Sequence, residues 1–301
     1  MEKVDFVIVA YKEELTMLRL QARSFSKFVP RNIIGNIYIV INDSNSNFCF
    51  HYVYRNVLPE FGNLASCVRI METRTFAPGV QNKSGYVSQQ IAKLKACDIV
   101  ESPLYITLDA KNFFIKPVSL SLFFDNGIPR SYIENYEAEF QVSMINECYR
   151  YWGTGEEKRT YRLPAMMTPF IIYSNVAKNI IKEMENKSGE DFVNAFSESF
   201  QVHSEFILYS TFIVNCGDEI DSVYRPSPSM SITLWGGCWS GENAFSGVLE
   251  YAKNSDAFMI GLHRKRIAQM NSAEHQDLRI FLSRIGLFEE EDGFNIQATC
   301  Q

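Results

Sequence analysis

Four short stretches of this 301-residue chain carry side chains suited to holding an anionic substrate. Asp109-Ala110-Lys111-Asn112 follows the apolar run Leu104-Tyr105-Ile106-Thr107-Leu108 and puts an acid and a base two residues apart at the end of a buried strand. A protonated lysine cannot coordinate a metal, but as a point cation it can neutralise a diphosphate directly. The alternative is a plain strand-ending turn, for which Asp and Asn are the usual residues. Tyr86, Gln90 and Lys93 lie at i, i+4 and i+7 of a helical pattern with Gln89 beside them, forming one polar face suited to sugar and phosphate oxygens or to water. Glu205 follows Ser204 at the start of another helical pattern, where a carboxylate can act on a hydroxyl or simply complement the helix dipole. His263-Arg264-Lys265-Arg266 is the densest basic cluster in the chain and follows a strand end, as a phosphate site or a solvated turn would.

Two further groups have weaker chemical content. Trp235 and Trp239 flank Gly236-Gly237-Cys238, a composition fitting either a sugar-stacking acceptor wall or tryptophans packed around a turn. His203, next to Ser204, reads equally as a loop histidine. Ala10-Tyr11 and Asn42-Asp43 end two apolar runs, where a carboxylate can accept from a ribose hydroxyl or cap a turn.

The elements that must position these residues are legible from periodicity. Phe6–Ala10, Ile37–Ile41, Cys67–Met71 and Leu104–Leu108 are short runs apolar on both faces. Helical spacing follows the first (Glu13 to Phe28) and precedes the fourth (about Tyr86 to Val100). Strands of this kind separated by helices predict an α/β fold with a mostly parallel central sheet covered on both sides. Ligands of such sheets sit beyond the carboxyl ends of the strands, so the tails after residues 10, 41 and 108 are predicted to share one rim. Later helical patterns cover Tyr136 to Trp152, Asn175 to Met184, Asp191 to Phe200 and Glu205 to Val214, with strands at Phe170–Tyr173 and Ala257–Gly261. Residues 152–159 are polar and contain two glycines, which predicts an exposed loop or a mobile flap.

Four motifs in order, Gly85-Tyr86-X-X-Gln89-Gln90-X-X-Lys93-Leu94, Leu108-Asp109-Ala110-Lys111-Asn112, Ser204-Glu205-Phe206-X-X-Tyr209 and Leu262-His263-Arg264, give the chain its resemblance to a family of bacterial glycosyltransferase-like proteins. That family was first catalogued as a domain of unknown function and is grouped with the GT-A enzymes of surface-polysaccharide synthesis (lipopolysaccharide or capsule). The resemblance implies a single GT-A-like, Rossmann-related domain over residues 1–301, with a nucleotide-sugar donor half up to residue 120 and an acceptor half over 121–301. It implies transfer of a hexosyl-type sugar from a nucleotide-sugar to a saccharide or glycolipid acceptor. It places Glu205 as the base of an inverting reaction and puts Lys111 where the second acid of an Asp-X-Asp motif would stand. Donor contacts are implied for Ala10, Tyr11, Asn42, Asp43, Tyr86, Gln89, Gln90, Lys93, Asp109, Ala110, Asn112, His263 and Arg264. Asp109 and His263 would be the ligands if Mn2+ or Mg2+ is used, and the lysine at 111 leaves metal-independent action open. Two rivals stay open: a nucleotidyltransferase acting on sugar phosphates, which would carry a glycine-rich basic loop absent after the first strand, and a catalytically inactive sugar-binding relative.

Composition bounds the function classes. A net charge of −6 gives no electrostatic reason to bind DNA or RNA, so any anion must be gripped locally. Seven scattered cysteines without a Cys-X-X-Cys pair argue against a disulfide framework or a zinc site and fit a reducing compartment. With no signal-like leader and no apolar stretch of about 20 residues, the expectation is a cytoplasmic protein whose membrane contact, if any, is peripheral, at the inner face.

Overall fold

The computed structural model describes residues 3–200, 204–236 and 244–288, the side chains of 244 and 245 excepted. Its centre is a five-stranded sheet. The strands that build it are β1 (Val4–Ala10), β2 (Ile34–Ile41), β3 (Val68–Glu72), β4 (Leu104–Asp109) and, later in the chain, Phe170–Tyr173. Their spatial order is Phe170–Tyr173, β4, β1, β2, β3. β1 pairs in parallel with both β2 and β4, and β2 with β3, while Phe170–Tyr173 runs antiparallel to β4. The predicted mostly parallel α/β sheet is therefore present. From β1 the chain winds outward to β2 and β3, then returns to place β4 on the other side of β1. The point where winding reverses, between the carboxyl ends of β1 and β4, is where sheets of this kind bind ligands.

Both faces of the sheet are covered, as the uninterrupted burial of β1 requires. Val4, Phe6, Ile8 and Ala10 join one core with the helix α1 (Leu15–Phe28), where Phe6 meets Phe25 edge-on at 5.2 Å. Val7 and Val9 join a second core with α2 (Gly85–Lys95), α3 (Glu139–Trp152), α4 (Ser174–Ser188) and α5 (Glu205–Asn215). The helix expected from Tyr136 begins at Glu139, because Ile133–Asn135 instead pairs with Arg162–Pro164 and the Tyr136 hydroxyl donates to the Pro164 carbonyl at 3.2 Å.

Asp5 is a charged residue in the middle of this sheet, fully buried and saturated. Its carboxylate accepts from the backbone N–H of Asn36 (2.7 Å), Glu101 (2.8 Å) and Ser102 (2.9 Å), tying β1 to β2 and to the entrance of β4. A Cβ on Gly35 would lie 2.3 Å from Asp5 Oδ1, so only glycine leaves room for this carboxylate. Replacing Asp5 with Asn turns one acceptor into a donor facing N–H groups. Chemical unfolding is expected to show a loss of about 2–4 kcal/mol, the charge-assisted bonds plus the group left unsatisfied.

A second, three-stranded sheet carries the rest of the site. β5 (Asn112–Phe114) begins immediately after the Asp109 turn, and pairs antiparallel with Met259–Leu262, which pairs in parallel with Ser231–Leu234. Leu262 N–H donates to the Lys111 carbonyl at 3.0 Å and His263 N–H to the Leu234 carbonyl at 3.1 Å. That register forces Lys111, Trp235 and His263, far apart in sequence, to one edge. Residues 153–159, after the buried Trp152 that ends α3, form a largely exposed loop pinned to the body of the protein. The buried Thr154 donates to Asn215 at 2.9 Å, Arg159 donates to the Thr154 carbonyl, and the loop lines no part of the cleft described next.

Candidate active site

An open cleft of ≈ 1260 Å³ lies at the carboxyl ends of β1 and β4, lined by residues from Tyr11 to Lys265. Its floor is a buried charge network built on Asp109. Oδ1 accepts from Lys93 Nζ at 2.8 Å and Gln89 Nε2 at 3.1 Å, and Oδ2 accepts from Lys111 Nζ and lies 3.3 Å from the Thr168 hydroxyl. Lys93 Nζ reaches on to Glu205 Oε1 at 2.9 Å and lies 4.9 Å from the centre of the Phe206 ring. Two carboxylates and two ammonium groups, all under 10 % exposed, thus alternate along the floor. Burial alone would raise the Asp109 pKa, but the charges and hydrogen bonds of Lys111 and Lys93 override it and hold Asp109 well below the usual range. For Lys93 burial works downward, and Asp109 and Glu205 reverse it to hold the ammonium charged.

Local structure explains each placement. Ser84 caps α2 by accepting from Val87 N–H, which fixes the phase that sends Gln89, Gln90 and Lys93 to the cleft. Ser204 caps α5 by accepting from Phe206 N–H at 3.2 Å, leaving Glu205 in the first turn, where the helix dipole favours its charge. Asn112 shapes the β4 turn. Its Oδ1 accepts from Asp109 N–H at 2.9 Å and from Thr168 at 2.7 Å, and Gln21 Nε2 donates to the Asp109 carbonyl at 3.0 Å.

One end of the cleft is cationic. Lys111 Nζ stands 5.0 Å from the centre of the Trp235 ring, Trp235 lies 5.1 Å from the His263 ring, and Arg264 lies 5.6 Å over the Tyr11 ring. His263 Nδ1 accepts from Lys265 N–H at 3.2 Å, capping the short helix Arg264–Gln269, so the neutral imidazole carries its proton on Nε2. Burial, then the Lys111, Arg264 and Lys265 charges, push its pKa down to about 4. Apolar lining comes from Phe140, Met144, Met166, Met167 and Phe206, with Tyr86 beside them in the wall.

Tyr11, Asn42, Asp43, Tyr86, Gln89, Gln90, Lys93, Asp109, Lys111, Glu205, Trp235, His263 and Arg264 all line the one cleft. Ala10, Ala110 and Asn112 do not: all three are completely buried, and Asn112 spends its carboxamide oxygen on the turn. Asp43 lines the cleft while also doing turn work, accepting from Lys12 N–H at 2.8 Å and Asn45 N–H at 2.7 Å. Asn42 donates to Ser88 at 2.8 Å. Trp235 sits beside Lys111 and His263, because it follows the Ser231–Leu234 strand next to His263. Trp239 and His203 lie outside the described residues.

The donor set does not fit a divalent ion held by Asp109 and His263. Both Asp109 oxygens already face ammonium groups, and coordination through His263 Nε2 would need the tautomer that gives up the Lys265 cap. Among the described residues no three His, Cys, Asp or Glu side chains come together as metal ligands.

Sequence reasoning missed Glu14. It lies three residues beyond Tyr11, whose hydroxyl donates to Glu14 Oε1 at 2.9 Å; the signal was there in an acid one turn from a cleft tyrosine, which reads on its own as dipole-complementing. Burial raises its pKa to about 7, with Lys111 opposing and Asp109 adding to the rise. An acid whose folded pKa is raised stabilises the fold at low pH and loses that contribution as pH climbs from the unfolded value through the folded one. The stability difference between the protein and Glu14→Gln, from unfolding curves at several pH values, is expected to fall by about 3 kcal/mol between pH ~4.5 and ~7.

The fold and this cleft define the class: a GT-A-like α/β domain with its site at the switch point of the sheet. An LgtC structure, an active-site mutant of a protein described as a galactosyltransferase, superposes with a TM-score of 0.50 at 13 % identity, covering 96 % of this chain and 98 % of that one. The apo structure of WbbM, described as a bifunctional glycosyltransferase, gives 0.51 at 11 % identity, covering 95 % of this chain and 50 % of that one. At these identities the likeness is one of fold. The chain itself belongs to the family of unknown function DUF6492, which matches residues 3–234. No curated protein matches the sequence.

Proposed function

We propose that the protein is a glycosyltransferase that moves a sugar from a nucleotide-sugar to a hydroxyl of a saccharide or glycolipid acceptor, by a metal-independent, inverting displacement. The carrying observation is the Lys93–Asp109–Lys111 network, in which lysines stand against the strand-end acid where a divalent ion would otherwise sit. The cleft exceeds the ~300–1,000 Å³ that takes one drug-sized ligand, which supports room for two substrates.

The diphosphate belongs at the cationic end, with Lys111, Arg264, Lys265 and the His263 Nε2–H group around it. The base and ribose belong beside Tyr11, Asn42 and Asp43, and the transferred sugar beside Gln89, Gln90 and Lys93. The acceptor belongs against Phe140 and the methionines, so donor contacts come mainly from residues 1–120 and acceptor contacts mainly from 121–301. The acceptor oxygen forms a bond to the anomeric carbon as the bond from that carbon to the diphosphate breaks. Glu205 takes the hydroxyl proton, and the nucleoside diphosphate leaves with the bonding electron pair, its charge met by Lys111 and its neighbours. The resemblance to enzymes of surface-polysaccharide synthesis supports a place in that assembly, on the cytoplasmic side where nucleotide-sugars are made. No helix among the described residues is long and apolar enough to cross a membrane.

A panel of nucleotide-sugars in chelator tests the proposal: release of one nucleoside diphosphate, stimulated by a saccharide acceptor, is the expected result. Turnover of nucleoside triphosphates with sugar phosphates would favour the nucleotidyltransferase, and binding without turnover the inactive relative. Lys111→Ala is expected to lower turnover in chelator about 10²–10³-fold, the scale for losing one preorganised group at developing charge.

A further inference from the structure

We propose that the acceptor carries a hydrocarbon chain next to the sugar that is glycosylated, and that Phe140, with Met144, Met166 and Met167, is the surface that receives the chain. The inference rests on the glycosyltransferase reading of the cleft and narrows its acceptor to a glycolipid. Phe140 is 68 % exposed and lines the cleft. Met144 follows one turn later on the same side of α3 and lines it too. Tyr136 ties Met166 to the segment that enters α3: its hydroxyl accepts from Met166 N–H at 2.9 Å and donates to the Pro164 carbonyl at 3.2 Å. Met167 precedes Thr168, whose hydroxyl lies 3.3 Å from Asp109 Oδ2, so the apolar lining adjoins the charged floor.

Among the described residues of the same stretch, 121–206, the lining adds Phe206, Thr168, Ser204 and Glu205. Thr168 gives its hydroxyl proton to Asn112 Oδ1 at 2.7 Å, Ser204 is buried and caps α5, and Glu205 is paired with Lys93. A run of sugar hydroxyls laid against Phe140 and the methionines would leave water without finding partners there, and unpaired buried polar groups are costly. A hydrocarbon chain gives up no hydrogen bonds and covers apolar surface that water otherwise meets. Methionine suits a chain better than a flat ring, because its unbranched side chain with three rotatable bonds adapts to a flexible occupant. The reacting sugar is then held by Glu205 and the polar floor, and the exposed Phe140 stands where the chain leaves the cleft.

The test takes the full chain in chelator with the nucleotide-sugar that binds, and offers methyl, phenyl and octyl glycosides of glucose, galactose and N-acetylglucosamine, the octyl compounds below the concentration at which they form micelles. Release of nucleoside diphosphate stimulated by each glycoside is measured. For the sugar that serves, kcat/KM is expected to be about 10–100-fold higher for the octyl than for the methyl glycoside, the gain from burying two or three methylene groups, with the phenyl glycoside between them. Phe140→Gln is expected to bring the octyl-to-methyl ratio to within about threefold, and Phe140→Leu to keep most of it. Phe140 is too exposed for either change to disturb the core. Equal kcat/KM for octyl and methyl glycosides, a phenyl glycoside that outperforms the octyl one, or an octyl advantage unchanged in Phe140→Gln overturns the inference alone. So does a protein that binds a nucleotide-sugar yet neither turns over an octyl glycoside nor binds one in calorimetry. Failure of every nucleotide-sugar to bind overturns it together with the donor reading.

Discussion

Replacing Lys93 with methionine is expected to lower unfolding stability by about 3–5 kcal/mol and to abolish turnover. Among the described residues, Lys93 Nζ is the ammonium that pairs with both Asp109 (2.8 Å) and Glu205 (2.9 Å), and all three side chains are buried. Methionine fills similar volume, so the loss is electrical: Glu205 keeps no ammonium within the ion pairs of the floor, and Asp109 keeps only Lys111. Removing one partner of a buried pair costs that much because the remaining charge has left water without compensation. Urea unfolding of the single variants and of Lys93→Met combined with Glu205→Gln checks the cause. Neutralising the stranded carboxylate is expected to recover part of the loss, whereas strictly additive losses would mean that Lys93 stabilises by packing alone.

The second large effect is catalytic. Glu205→Gln keeps the shape of the first turn of α5 and the Ser204 cap but removes the group proposed to take the acceptor proton. Transfer to acceptor is expected to fall about 10²–10⁴-fold, the range for a lost general base, with donor binding held within a few-fold. Polarimetry or NMR of the product reports the anomer: inversion accords with Glu205 as base. A retained anomer, or a variant with near-normal transfer, would leave Glu205 as a structural anchor of Lys93.

Much of the α/β framework was legible because fully buried parallel strands leave continuous apolar runs. Phe6–Ala10 marks the body of β1 and Leu104–Leu108 nearly all of β4. The polar tails after those runs were legible for the same reason, since the fold rule sends them to one rim. The rest depends on register, which no local pattern carries. Only the pairing of Met259–Leu262 with β5 and with Ser231–Leu234 shows why His263 and Trp235 flank Lys111, and hence why the tryptophan sits with the cations. For Asn112 the residue pattern offered a turn and the resemblance a donor contact; its side chain is buried and its carboxamide oxygen holds the turn. Glu14 showed in the sequence only as an acid one turn from Tyr11, because its character comes from desolvation and from the charges of Lys111, Asp109 and Arg264, all consequences of packing. Helical spacing put Lys93 on one face with Tyr86 and Gln90, but its pairing with both Asp109 and Glu205 needed α2 and α5 in position.

The most direct measurement is the affinity of chelator-treated protein for UDP, GDP, dTDP, ADP and CDP, with and without millimolar Mn2+ or Mg2+. Lysines paired with Asp109 should let one nucleoside diphosphate bind equally well with and without the ion. Binding that appears only when the divalent ion is added, or no binding by any of the five, would contradict a cleft whose own ammonium groups receive the diphosphate.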